Sequence, residues 1–378
     1  MTNRFLPLLA LGALLTATAA SAQDAASLFH FRISNPGARS LGFGGAFAGL
    51  ADDATAAYAN PAGLVKLVDP ELSVELRVTV VETSEAVGDQ DVSGVGFVSF
   101  VYPRKHWSVA AYEAELSQLG GILFGDLGLD LAPYPSPGTS GSVSVMNRGL
   151  AGAYQWKERF SVGFGFSRFE GDFDATSEIL DAGSPYPPGS FLIASTTDGT
   201  DFSFNAGFLW QLPRRFDIGG FFREGPSFAL MTSVIAGPGS LLPPGTELGM
   251  DRRVPLELAN VFGLGVAYTS QNGLMTASFE WDHLGEASGL EPADELHLGL
   301  EVVVLKTSPV VALRLGAWHD PDRRPGGRDV FPSVVPLGDG DVHTSFGLGI
   351  AFQSLKLDFG YDQSDRVDTG SFSLVYAF

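Results

Sequence analysis

Few residues in this chain have the type and spacing needed for chemistry. The sequence contains six histidines and no cysteine, and it shows neither an HExxH motif nor a paired H-x-H. His283, His297 and His319 would form a metal site only if three separate segments converged, so we predict no metal. The run from Gly42 to Phe47 departs from the dinucleotide fingerprint because Phe47 takes the place of the third glycine. We therefore expect no cofactor and no enzymatic activity.

Charge excludes a further class of function. The formal net charge is −20, with only 17% charged residues. Nucleic-acid binding depends on a basic face that neutralises phosphates, so this composition argues against a nucleic-acid partner. Exposed acidic loops explain the charge by solubility alone. Binding of divalent cations at a lipopolysaccharide surface is an additional possibility.

The first 22 residues have the pattern of a secretory signal peptide. Arg4 supplies the positive start, residues 6–17 are apolar, and Ala20-Ser21-Ala22 forms an A-x-A cleavage site before Gln23. No later run reaches the roughly 18 apolar residues that a membrane helix needs. The sequence thus predicts export, and any membrane location would require a β-barrel.

The segment after residue 70 reads as β-strands to the end of the chain. Residues 71–81, ELSVELRVTVV, alternate without error between apolar and polar positions, which is the signal of a membrane strand. Thirteen further segments bring the total to fourteen: 91–102, 107–117, 140–156, 160–170, 200–211, 216–224, 256–269, 274–283, 294–305, 309–319, 342–352, 355–362 and 367–378. We predict an all-β fold, an antiparallel transmembrane β-barrel of about 14 strands over residues 71–378, closed within a single chain as a monomer.

Loop lengths support a barrel in an outer membrane. After the first strand the connections alternate between long and short, and the short ones fall near residues 103–106, 157–159, 212–215, 270–273, 306–308 and 353–354. Outer-membrane barrels have short periplasmic turns and long outer loops, whereas a soluble sandwich has no reason to sort its loops in this way. The pattern predicts that both termini are periplasmic.

Charged residues within the strands are predicted to face the lumen. An Arg or Lys that met lipid near the midplane would cost roughly 2–4 kcal/mol. Following the alternation, the inward charges are Glu75, Arg77, Glu280, Asp282, Glu301, Arg314, Lys356 and Asp358. His297 shares this face. These groups either satisfy one another as buried ion pairs or take part in substrate passage.

The predicted outer loops are unusually apolar. Exposed apolar patches mark binding surfaces, so three such loops at one mouth suggest a collecting site for a hydrophobic molecule, although they would also serve as a cap by packing on one another. The candidate ligand-binding residues are Leu123, Phe124, Leu127, Leu129, Phe191, Leu192, Leu241 and Leu242.

Residues 23–70 form a Gly- and Ala-rich segment that has no core of its own. It is too rich in Gly to be a strand and too interrupted by Gly and Pro to be one helix. We predict a plug, or hatch, inside the barrel, with few packed contacts and low local stability. Its candidate gating residues are Gly42, Gly44, Gly45, Asp52, Asp53, Asn60 and Pro61.

The N-terminal motif resembles that of the FadL/TodX family of outer-membrane transport proteins, and nearly as well that of the related PorV/PorQ-type barrels. The matching stretches are residues 37–47, GARSLGFGGAF, residues 51–54, ADDA, and residues 60–64, NPAGL. The C-terminal strand ends on Phe378 after alternating apolar residues, which resembles the signal read by the barrel-assembly machinery.

The resemblance carries expectations about function. A FadL-type protein would take up hydrophobic compounds passively, such as long-chain fatty acids or aromatic hydrocarbons. In that family outer loops catch the ligand, a hatch rearranges, and the ligand leaves through an opening in the wall. A PorV-type barrel would instead act as a secretion or surface-attachment partner. Outer-membrane lipid and lipopolysaccharide surround the barrel in either case.

Overall fold

The structure, a computed structural model, describes residues 35–81, 90–124, 139–180, 190–236, 252–287, 290–305, 308–323, 340–365 and 367–378. Sixteen strands form one antiparallel sheet. They are β1 Glu71–Val81, β2 Gln90–Pro103, β3 Trp107–Phe124, β4 Thr139–Lys157, β5 Phe160–Leu180, β6 Ser190–Gln211, β7 Phe216–Arg223, β8 Ser227–Ala236, β9 Arg252–Glu257, β10 Val261–Thr269, β11 Met275–Leu284, β12 Ala293–Leu305, β13 Val310–Asp320, β14 Asp341–Ala351, β15 Leu355–Gln363 and β16 Val367–Ala377.

The sheet closes into a barrel with fourteen positions in its wall. β1 pairs with β16 over its whole length, which closes the sheet on itself. β6 pairs with β7 at one end and with β8 further along, so β7 and β8 share one position. β9 and β10 share the next, because β8 pairs with β9 and β7 with β10. The prediction of a closed barrel of about 14 strands is confirmed.

Several strands run further than the sequence pattern indicates. β3 continues to Phe124, β5 to Leu180, and β6 begins at Ser190, within stretches predicted as loops. The extension of β6 reads SFLIASTTDGT and lacks period-2 alternation. A strand segment beyond the hydrocarbon has no lipid on its outer face, so nothing there requires the alternation that the prediction relied on.

The two faces of the wall differ in chemistry. Large apolar side chains point outward and are exposed, among them Leu76, Leu150, Phe164, Phe279 and Leu315. Charged and small polar residues alternate with them on the inner face, as a wall immersed in lipid requires. Within the described ranges, no helix is long and apolar enough to span a membrane.

The described part of the plug, residues 35–70, consists of short pieces joined by turns. A helix at Ala38–Gly42 is followed by a turn in which Gly44 and Gly45 have positive φ. A second helix, Ala56–Ala59, ends at Asn60, and a 3-10 helix, Pro61–Lys66, starts there.

Glycines allow the plug and the wall to meet backbone to backbone. A Cβ atom at Gly44 would lie 2.5 Å from the carbonyl oxygen of Leu298 and 2.8 Å from the nitrogen of Ala317. On the wall, a Cβ atom at Gly316 would lie 2.2 Å from the nitrogen of Gly44. Neither position tolerates a side chain without displacing the backbone opposite.

The plug is therefore packed as a core rather than held loosely. Phe43, Phe47, Tyr58 and Leu64 are buried, and they belong to a cluster that also includes wall residues such as Phe97. The prediction of few packed contacts is wrong for residues 35–67. Gly and Ala at these positions permit close approach of two backbones, and that close approach gives tight packing rather than a mobile segment.

Replacing Gly44 with alanine tests this packing. Gly44→Ala and Gly273→Ala both place a side chain at positive φ, but nothing lies within 4 Å of the Gly273 position. We expect Gly44→Ala to lower the free energy of unfolding by about 1–3 kcal/mol more than Gly273→Ala, because only the former overpacks the plug against the wall. Urea unfolding in detergent micelles measures the difference. Equal losses in the two variants would contradict close plug–wall packing.

Candidate functional site

Seven of the eight inward charges predicted from alternation fall into three groups, each in contact with the plug, and Lys356 is the exception. The first is centred on Glu75 of β1, which is fully buried. Its carboxylate accepts hydrogen bonds from the Gly37 N–H at 2.9 Å and from the Ser371 hydroxyl at 2.6 Å. Arg77 pairs with the same carboxylate at 2.9 Å. Glu75 thus anchors the start of the first plug helix, where backbone N–H groups need acceptors.

The second group is a chain of ion pairs that runs from the plug into the wall. Arg39 on the first plug helix contacts Asp52 at 2.5 Å and Glu301 of β12 at 3.3 Å. Glu301 also accepts from Arg314 of β13 at 2.6 Å, and Arg314 continues to Asp358 of β15 at 2.6 Å. Alternating charges in a largely buried chain compensate one another, so the network fixes the plug relative to three strands.

Arg39 also organises the second acidic residue of the plug. Burial alone would lower the pKa of Arg39, but the carboxylates of Asp52, Glu301 and Asp53 raise it well above its ordinary value. Burial raises the pKa of Asp53, and the charge of Arg39 opposes this rise. Asp53 further accepts from the Thr55 N–H at 2.9 Å. The Asp52-Asp53 pair is therefore the plug's internal counterion for Arg39.

The third group holds the glycine turn and the segment after it. Glu280 of β11 is fully buried and accepts from the Ala48 N–H at 2.5 Å. His297 of β12 lies directly opposite Glu280 in the ladder, and its Nδ1 is 2.8 Å from the Gly44 carbonyl oxygen. Asp282 is buried beside them. Lys356, in contrast, is partly exposed and pairs with Glu71 at 3.0 Å, separate from these groups.

Asn60 connects the second plug helix to the wall. Its side-chain amide donates to the Ala48 carbonyl at 2.9 Å and to the Phe208 carbonyl at 3.1 Å, and its oxygen accepts from the Ala62 N–H. Pro61 follows at the first position of the 3-10 helix, where its missing N–H costs nothing. The Asn-Pro motif therefore fixes a plug turn against β6.

A small cavity lies inside the wall above the second plug helix. Its volume is about 20 Å³, and Tyr58 contributes to it from the plug. The wall residues that line it include Phe169 and Asn205, together with 224–226 and Ala259.

This cavity adjoins an interruption of the β-ladder. Residues 224–226 separate β7 from β8, and residues 258–260 separate β9 from β10. Isolated bonds replace the regular ladder, such as Leu258 N to Pro226 O at 2.9 Å and Ser227 N to Asp201 Oδ2 at 2.6 Å. Proline cannot donate a ladder hydrogen bond, and strands tolerate it only at such breaks.

Four of the eight predicted ligand residues of the outer loops belong to strands, and the other four lie outside the described residues. Leu127, Leu129, Leu241 and Leu242 lie outside the described residues. The backbones of Leu123 and Phe124 belong to β3, and those of Phe191 and Leu192 belong to β6. The assignment of these four to loops is therefore corrected to the extended ends of strands.

Searches by sequence found no similar protein: no family model matches the chain, and no curated protein matches it. Comparison with solved structures gave clear matches. A FadL homologue from Pseudomonas aeruginosa superposes with a TM-score of 0.73 at 14% identity, covering 93% of this chain and 100% of that one.

Two toluene transporters match as well. The TodX protein of P. putida gives a TM-score of 0.67 at 14% identity, with 92% of this chain and 99% of that one covered. TbuX of Ralstonia pickettii gives a TM-score of 0.65 at 12% identity, with 92% of this chain and 100% of that one covered. The chain has the FadL-type barrel fold. At these identities the likeness establishes architecture, and function is argued separately from the site.

Within this FadL-type barrel, several residues at the site were missed by the sequence analysis. Asn205 donates to the carbonyls of Ala57 and Tyr58, and Arg223 lies over the ring of Tyr58 at 4.7 Å. Glu295 lies 3.4 Å from His297. The rule that selected the predicted charges, a polar residue at an inward position of a strand, would also have selected Asn205.

The buried ion-pair chain predicts an asymmetric response to loss of arginine. Arg39→Ala would leave Asp52 and Glu301 without their shared cation inside the barrel, and we expect a loss of about 2–4 kcal/mol in unfolding free energy. Arg148 also contacts two carboxylates, Glu113 and Glu170, but its side chain is half exposed, so Arg148→Ala serves as the matched control and should change stability little. Chemical unfolding of both variants measures the two changes in unfolding free energy. Comparable losses would contradict the anchoring role of Arg39.

Proposed function

We propose that the protein is an outer-membrane channel for passive uptake of hydrophobic compounds, long-chain fatty acids or aromatic hydrocarbons, gated by its N-terminal plug. The solved structures that share its architecture include two described as toluene transporters. The observation that carries the proposal is the cavity above Tyr58 beside the ladder interruption at residues 224–226. A hydrophobic solute needs a path that avoids water, and a break in the wall next to a cavity offers one.

The cavity is far too small for a substrate. About 20 Å³ accommodates roughly one water molecule. Passage therefore requires movement of the plug, of the wall, or of both. Arg223 of the wall stacks on the Tyr58 ring of the plug, and Gly225 lies in the interruption between β7 and β8. Displacing the Tyr58 ring would enlarge the cavity toward the interruption.

Aromatic residues support membrane placement. Trp107, Trp156, Trp210 and Tyr376 are exposed on the outer face, each at the end of a strand next to a short connection. Aromatic girdles of this kind lie at the membrane interfaces of outer-membrane barrels. The proposal includes periplasmic termini on the side of the short turns, and recognition of Phe378 by the barrel-assembly machinery.

Cross-linking across the interruption tests the pathway. The chain has no cysteine, so Asp201→Cys with Ser227→Cys introduces a unique thiol pair at a point where the two residues now share a 2.6 Å hydrogen bond. Joined by a short, reducible cross-linker, the pair should lower uptake of labelled toluene or oleate at least fivefold. Reduction should restore uptake, because the linker prevents the wall from opening.

The control pair is Thr79→Cys with Thr369→Cys, which lie opposite each other in the continuous ladder between β1 and β16. Cross-linking there should leave uptake unchanged. Unchanged uptake with the Asp201–Ser227 pair closed would exclude this exit route. Uptake that is the same with and without the protein would exclude transport itself, and a stably co-purifying protein would then favour the secretion-partner role.

A further inference from the structure

A cluster of metal-ligating side chains lies in the third group of inward charges, although the sequence analysis predicted no metal site. Asp282, Glu295 and His297 place one ligand atom each within 4.8 Å of one another. Asp282 and Glu295 are direct cross-strand neighbours on β11 and β12, and His297 follows Glu295 by two positions on the same face. The histidine motifs sought in the sequence miss this arrangement because it uses one histidine with two carboxylates from adjacent strands.

The histidine is oriented as a metal ligand would be. Its Nδ1 faces the Gly44 carbonyl oxygen at 2.8 Å, and only the N–H form of Nδ1 can bond to a carbonyl. This leaves Nε2 directed at the two carboxylates. A metal-bound histidine characteristically donates its other ring N–H to a backbone carbonyl or carboxylate, which fixes its tautomer. Trp318 stacks on the ring at 5.5 Å and restricts its rotation.

Two atoms at the cluster lack hydrogen-bond partners among the described residues. They are His297 Nε2 and Asp282 Oδ1, on side chains that are 8% and 5% exposed. Buried polar atoms are almost always satisfied, and leaving one without a partner costs about 1–3 kcal/mol. His297 Nε2 lies 3.4 Å from Glu295 Oε2 and 4.0 Å from Asp282 Oδ2. The ring is therefore close to both carboxylates without a well-formed hydrogen bond to either.

These separations suit a cation between the groups. Bonds of about 2.0–2.2 Å in a tetrahedral zinc site put ligand atoms about 3.4 Å apart. The widest separation here, within 4.8 Å, needs side-chain adjustments of less than about 1.5 Å. Glu295 is partly exposed, so the site has an approach from the lumen.

We propose that Asp282, Glu295 and His297 form a binding site for a divalent transition metal of the Zn²⁺ class. One nitrogen and two carboxylate oxygens favour such a metal over Mg²⁺ or Ca²⁺, which prefer all-oxygen sites. Three protein ligands leave a fourth position for water. Because His297 also holds the Gly44 carbonyl, metal binding would tie the glycine turn of the plug to β11 and β12.

The test is zinc titration of the full-length protein in detergent after treatment with a chelator. We expect one Zn²⁺ per chain by calorimetry, with a large excess of Mg²⁺ failing to displace it. Asp282→Asn and Glu295→Gln should each weaken binding at least tenfold, since each removes one of three ligands. The matched control is His283→Gln, because His283 pairs with Asp294 at 2.8 Å on the same two strands but is exposed.

The outcomes separate clearly. Absence of saturable zinc binding by the wild-type chain would overturn the proposal, as would affinity that is unchanged in both ligand variants or lost in His283→Gln. Folding of each variant is checked by heat-dependent electrophoretic mobility. Should the variants fail to fold, Co²⁺ added to the wild-type protein decides: a tetrahedral visible absorption spectrum supports the site, and the spectrum of aqueous Co²⁺ contradicts it.

Discussion

The structure depends on satisfying the backbone of a plug that has almost no regular secondary structure. A segment of short helices and turns leaves many N–H and C=O groups without internal partners, and burial inside a barrel removes water as an alternative. The wall supplies those partners through inward side chains. Glu75 accepts from the Gly37 N–H, and Glu280 accepts from the Ala48 N–H. Charged residues thus line the lumen because a buried backbone requires them, and their like charges are tolerated because arginines and plug N–H groups compensate them.

The close approach of the plug and wall backbones and the hydrogen bonds between wall side chains and plug amides depend on each other. A side chain of Glu or His reaches a plug amide only if the two backbones lie near, and glycines such as Gly44 and Gly316 make that distance possible. The same closeness packs the plug tightly against the inside of the wall. Under the proposed uptake function, a solute would pass beside this packing, at the cavity next to residues 224–226.

The wall was predictable from the sequence, and the reason is physical. Lipid on one side and a polar lumen on the other impose period 2, so residues 71–81 reveal both a strand and its orientation. Where lipid is absent the constraint disappears, and the extended end of β6 from Ser190 was missed. The break at Pro226 was hidden because two half-strands occupying one wall position read as one strand followed by a loop. Alternation likewise placed Glu301 and Arg314 inside the barrel, but it carries no information about Arg39, the partner of Glu301 from 262 residues earlier.

The first and second helices of the described plug contact the wall differently, and under the proposed gating this asymmetry bears on which of them would shift. The helix that bears Arg39 is bound to the wall by ion pairs, and the turn at Gly44 is bound to it by His297. Both contacts require a specific position of the plug relative to the wall. The helix that bears Tyr58 contacts the wall through neutral amide bonds from Asn205 and borders the cavity beside the ladder interruption at residues 224–226. Neutral bonds exchange for water at a cost of about 1 kcal/mol each, whereas breaking a buried ion pair costs several. The helix that bears Tyr58 is therefore the part of the described plug whose wall contacts cost least to exchange. The 3-10 helix that follows it is held by an ion pair from Lys66 to Asp217 of β7 at 2.7 Å. A metal at His297 would strengthen the hold on the first half.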